Sequence, residues 1–172
     1  MQIKRQRGFT LVEIIIGIVV FSISLTIVAN FLVPTAIQSA NQIQSIRASE
    51  LAQSLMNEIL AKSFDENSNR VGGFLRCGED GVVCSPALGN EGESRENYND
   101  VDDYHTLTMI DNIHEGLNDD PYQGFSLAVE VFYDGNFDGI DDGAISGAKL
   151  IKISVTPPSG DTLVFAGYKV NF

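Results

Sequence analysis

Gly8-Phe9-Thr10-Leu11-Val12-Glu13 opens an apolar run that continues to residue 29, and the reading of this run decides the fold. Within it the only polar side chains are Thr10, Glu13, Ser22, Ser24 and Thr26. At 1.5 Å per residue a helix of this length crosses a hydrocarbon core of roughly 30 Å. Three bases, Lys4, Arg5 and Arg7, stand before the run, and the next base is Arg47. That asymmetry predicts a single pass, with residues 1–8 on the cytoplasmic side and the C-terminal part sent across. A carboxylate in lipid is costly, so Glu13 needs a partner or a task. The plainer reading is that Glu13, close to the helix end, snorkels to the headgroups.

Two other kinds of N-terminus compete. A cleaved secretory signal has a shorter apolar region and a small-residue site after it. Here the run is longer, holds an acid, and no such site follows. An uncleaved anchor explains the topology but leaves Gly8-Phe9 and Glu13 as coincidences.

Outward from the run, the helical pattern continues. Ile37, Ala40, Ile43, Ile46, Ala48, Leu51, Ala52, Leu55, Met56, Ile59 and Leu60 recur at spacings of three and four, which places them on one face. Residues 9–63 would form a helix of roughly 80 Å. Pro34 lacks an amide hydrogen, so a kink or local loosening is expected near it. Residues 9–30 read as a transmembrane or polymerisation segment, apolar all round. Residues 31–63 read as an amphipathic continuation that lays one face on a sheet. Residues 64–123 are Gly- and Asp-rich, with a short strand expected over 106–110. The last part, 124–172, reads as three alternating strands over 125–133, 149–156 and 163–172, with a turn at Pro157-Pro158-Ser159-Gly160. The fold class is α+β: one long, kinked helix on an antiparallel meander.

The 172-residue chain carries 23 acids and 11 bases, a formal net charge of -12. So acidic a surface lacks the basic footprint that nucleic acid binding needs. Neither His105 nor His114 lies in a nucleophile or zinc motif, and no phosphate-cradling loop is present, so the chain reads as a non-enzyme.

Basic leader, Gly-Phe junction, acid-bearing apolar helix and trailing sheet together resemble the type IV pilins and pseudopilins. The resemblance implies that Gly8 precedes the cut made by a prepilin peptidase. Phe9 becomes an N-methylated terminus, and Glu13 pairs with the amine of Phe9 on a neighbouring subunit. It implies other pilin subunits, an inner-membrane assembly platform and, before assembly, membrane lipid as partners. The C-terminal part would be periplasmic, then carried to a pilus at the cell surface. Residues 47–70, Leu75-Arg-Cys-Gly78 and Asp100-Val-Asp-Asp-Tyr-His105 resemble the D-type minor pilins of mannose-sensitive haemagglutinin pili. The chain departs from many major pilins in having Asn30 and Pro34, and in placing its cysteines mid-chain, which favours a minor, assembly-related subunit. A pseudopilin of a type II secretion system and a tip adhesin remain the alternatives.

Translocation would put Cys77 and Cys84 in an oxidising compartment, where a small disulfide loop is expected; two free thiols are the other reading. Asp134, Asn136, Asp138 and Asp142 have the spacing that begins an EF-hand loop, so calcium is a candidate ligand. The twelfth position is Ile145 instead of a bidentate acid, and Asp-Gly and Asn make turns without metal. Asp100, Asp102, Asp103 and His105 form a second cluster, able to bind a cation or a partner, or to be a solvated, capped turn.

Overall fold

A computed structural model describes residues 8–68, 76–110 and 121–171. The leader bases, Arg70, Leu75 and His114 lie outside the described residues. Two compact units divide the chain, one ending at Gln42 and one running from Ile43 to Phe172.

Helix α1, Leu11–Leu60, runs through both units, and Pro34 sits inside it without ending it. In the first unit its apolar side chains have nothing to bury against among the described residues: Ile16, Phe21 and Phe31 are among many that stay exposed. The span Leu11–Leu32 is long and apolar enough to cross a membrane. Its hydroxyls are satisfied within the helix. Ser22, Ser24 and Thr26 donate to the carbonyls of Ile18, Val20 and Ser22 at 2.8–2.9 Å. Back-bonding of this kind leaves no unpaired donor on a helix surrounded by hydrocarbon.

In the second unit the same helix has a partner. Ala48, Leu51, Ala52, Leu55, Met56 and Ile59 are buried against a four-stranded antiparallel sheet. The sheet is a meander in the order β1 (Thr108–Ile110), β2 (Ser126–Tyr133), β3 (Ala148–Thr156), β4 (Leu163–Val170). Strict alternation sends Leu127, Val129 and Val131 of β2 inward, and Val129 pairs with Ile153 of β3. On β3 the inward set is Lys149, Ile151, Ile153 and Val155. The helix approaches β4 so closely that a Cβ on Gly167 would lie 3.0 Å from the Met56 sulfur.

The apolar face expected from Ile37 onward becomes core only at Ala48. Ile43 and Ile46, which share its spacing, are more than half exposed. Periodicity shows which residues share a face; it does not show how far along that face the sheet extends. The short strand is Thr108–Ile110, two residues shorter than the 106–110 expected.

Candidate functional site

Gly8, Phe9 and Thr10 precede the first turn of α1, and all three are exposed. Among the described residues beyond its chain neighbours, none has an atom within 4 Å of where a Cβ on Gly8 would project. Phe9 is 84% exposed. The Gly8–Phe9 peptide bond is therefore in open, non-helical backbone. The helix start is fixed one residue later by a reciprocal cap. The Glu13 amide donates to Thr10 Oγ1 at 3.3 Å, and the Thr10 amide and hydroxyl both reach Glu13 Oε2 at 3.3 Å. This Thr-x-x-Glu capping box satisfies two donors that a helix start leaves orphaned. The carboxylate also faces the positive end of the helix dipole. Both bonds fall on Oε2, and a carboxylate has acceptor capacity beyond them. Glu13 thus has a local role that its charge alone did not reveal; the Thr-x-x-Glu spacing was the available signal.

Cys77 and Cys84 are joined in a disulfide, buried beside Phe64 and Tyr133. Asp65 lies near both sulfurs, but a bonded pair offers no thiolate to a metal.

The acidic loop is closed by its own backbone. Asp134 accepts from the amides of Asp138 and Gly139 and from Tyr168 Oη at 2.6 Å. Asn136 Oδ1 accepts from the Asp138 amide, Asp138 Oδ1 from the Ile140 amide, and Asp142 Oδ2 from the Gly135 amide. Burial pushes the Asp134 carboxyl up, yet these hydrogen bonds, led by Tyr168, hold it below the usual carboxylate range. Among the described residues, the carboxylates of this loop do not converge as a cluster of three or more. The chemistry of the arrangement is turn formation.

The cluster at Asp100-Val-Asp-Asp-Tyr-His105 is capped, but it is not solvated. Asp103 Oδ2 accepts from the amides of Asn99 and Asp100, and Asp100 Oδ1 accepts from the Asp103 amide. Asp100 and Asp102 have no exposed surface and Asp103 has 2%. The reason is Lys149, wholly buried on the inward face of β3, whose Nζ lies 2.6 Å from Asp102 Oδ1 and 2.7 Å from the Phe64 carbonyl oxygen. A buried ammonium ion requires acids around it. His105 accepts the Val131 amide through Nδ1, which joins the turn to β2. Beside it, Tyr104 and Arg95 both donate to Glu58 Oε1 of α1 at 2.8 Å. Burial pushes Glu58 up, but those two hydrogen bonds outweigh it and bring the carboxyl lower than usual.

Residues 3–29 match the family profile described as prokaryotic N-terminal methylation motif. The matched stretch contains the Gly8–Phe9 junction, the Thr10–Glu13 cap and most of the apolar span. That motif is the N-terminal signal of type IV pilin-like proteins and pseudopilins. No curated protein and no solved structure matches the chain.

Proposed function

We propose that the chain is the precursor of a structural fibre subunit, a minor pilin. A prepilin peptidase cuts after Gly8, the new amine of Phe9 is methylated, and the apolar half of α1 holds the subunit in the inner membrane until it enters a pilus. One observation carries this reading. The methylation motif coincides with an exposed Gly-Phe bond at the start of a helix whose first span, Leu11–Leu32, is apolar and finds no cover among the described residues. Such a surface needs lipid first and other apolar helices later.

Glu13 then has two successive partners. In the single subunit its carboxylate closes the Thr10 cap. In the fibre it also accepts the amine of Phe9 from a neighbour, which neutralises two charges that would otherwise sit unpaired in an apolar bundle. The D-type minor pilins of mannose-sensitive haemagglutinin pili are the subunits the Asp100–His105 segment resembles, and a role in assembly or attachment follows from that resemblance.

The test is the mass of the N-terminal peptide from protein in sheared surface fibres. A peptide that begins at methylated Phe9 supports the reading; an intact Met1 leader found only in membranes overturns it. Glu13→Val should spare membrane insertion and impair incorporation, and undiminished incorporation would remove the pairing from the mechanism. A pseudopilin of a type II secretion system would instead show itself by blocked secretion on loss of the chain.

A further inference from the structure

The buried Lys149 site holds the ingredients of a covalent reaction as well as an ion pair. Lys149 and Asp102 both have no exposed surface, and Nζ stands 2.6 Å from Oδ1. A second hydrogen bond, to the Phe64 carbonyl oxygen, fixes the direction in which the amine points. The rings of Phe64 and Tyr133 lie 4.5 and 5.1 Å from Nζ and close the site with apolar surface. Asp65 is the competing acid, but it is farther, at 3.7 Å, and both its oxygens accept the Ser85 amide. On its other side, Asp102 has Asp100 as a charged neighbour: burial first, and then the charge of Asp102, raises the Asp100 carboxyl to about 8. Among the described residues, Asp100 Oδ2 and Asp102 Oδ2 are buried oxygens with no hydrogen-bond partner.

We propose that Lys149 and Asp102 are an amide-forming pair, which condense to an intramolecular isopeptide link between β3 and the Asp102–Tyr104 turn and release one water. The steps balance. The reaction runs through the neutral forms of the two groups. Proton transfer from the ammonium to the Asp102 carboxylate gives a neutral amine and a neutral acid. The Nζ lone pair attacks Cγ of Asp102. Asp100 gives its proton to the departing oxygen and takes one from Nζ, so it ends as it began. A C–N bond forms, a C–O bond breaks, and the ammonium and carboxylate become an amide and water with no change of oxidation state. Orientation supplies the rate, since both reactants are already held at contact distance. Exclusion of water opposes the reverse hydrolysis.

The link concerns only the unit from Ile43 to Phe172 and stands whether or not the N-terminal segment is processed as proposed. The test uses the full chain, purified in detergent, by intact mass and by peptide mapping after proteolysis. The expected result is a chain one water lighter than its sequence and disulfide require, with a branched peptide joining the Asp102 and Lys149 segments. A succinimide at an Asp-Gly pair loses the same water, so the branched peptide decides and the mass alone does not. Separate, unmodified Asp102 and Lys149 peptides from folded protein overturn the proposal. Lys149→Arg keeps the charge and should abolish the branched peptide. Asp100→Ala should abolish it or slow it greatly; undiminished linkage in a folded Asp100→Ala chain would remove Asp100 from the reaction.

Discussion

Two stretches of one helix, residues 11–42 and 43–60, are built from much the same aliphatic residues and meet opposite fates. Ile16 is 58% exposed and Ile59 is fully buried. The second stretch alternates its apolar residues with Gln, Asn and Glu, and a sheet from the same chain covers the apolar side. The first is apolar on every side as far as about residue 32 and has no such cover among the described residues. Its sequence is complementary to something outside the chain, whereas that of the second is complementary to β2 and β3. A helix that is hydrophobic all round belongs in lipid or in a bundle.

The comparison can be broken by removing what each stretch leans on. The largest loss should come from Lys149→Ala, which leaves buried acids without their cation and costs about 3–5 kcal/mol. Denaturant unfolding of the full chain in detergent would measure it, and a change below about 1 kcal/mol would mean the acids find another partner. Next comes the matched pair on the helix itself. Ile59→Ala should cost about 2–5 kcal/mol in the same unfolding transition. Ile16→Ala should stay within about 0.5 kcal/mol. Equal effects would show that the two stretches share one core. Replacing both Cys77 and Cys84 by Ser frees a short loop and should cost about 2 kcal/mol, read as a lower unfolding midpoint.

The last effect is a slope against pH. Burial first, and then the charge of Asp102, pushes Asp100 up from 3.8 to about 8. The folded chain then keeps a proton that the unfolded chain has released, so stability falls as pH rises between about 4 and 8 and levels off above. Asp100→Asn should flatten that fall, and an unchanged slope would assign the titration to other groups. An amide at Asp102 would delete one of the two causes and leave burial, so the slope should be shallower in linked protein. Glu58, held low, works in the other direction: it withdraws its contribution as pH falls through the carboxylate range.

Most of the fold was legible because its signals are local. Alternation over 125–133 and 149–156 gave two central strands to within a residue, and spacings of three and four gave the helix face from Ala48 to Ile59. The buried acids were not legible. Four polar residues in six, at 100–105, look like a solvated turn unless a cation arrives from elsewhere, and Lys149 lies 47 positions from Asp102. One clue was present: period two put Lys149 on the same face as Ile151, Ile153 and Val155. At the N-terminus the junction is legible by resemblance, while the cap between Thr10 and Glu13 is written only in the Thr-x-x-Glu spacing. The acidic loop holds oxygens spaced as a cation would need, and amide donors two to seven residues away in the chain hydrogen-bond to them.

The C-terminal end of α1 has no base in its last turn. The Leu60 carbonyl oxygen accepts instead from Lys169 Nζ at 2.9 Å, from the last strand, 109 residues later. That distance along the chain has a kinetic meaning. Loop closure has to precede the bond, so the helix end is finished late in folding, after the meander has formed. A chain that crosses a membrane from its anchored helix toward its last strand would carry an open helix end for as long as that strand is missing. Truncation before Lys169 should therefore speed hydrogen exchange at the last turn of α1 while leaving the turns around Ala48 protected.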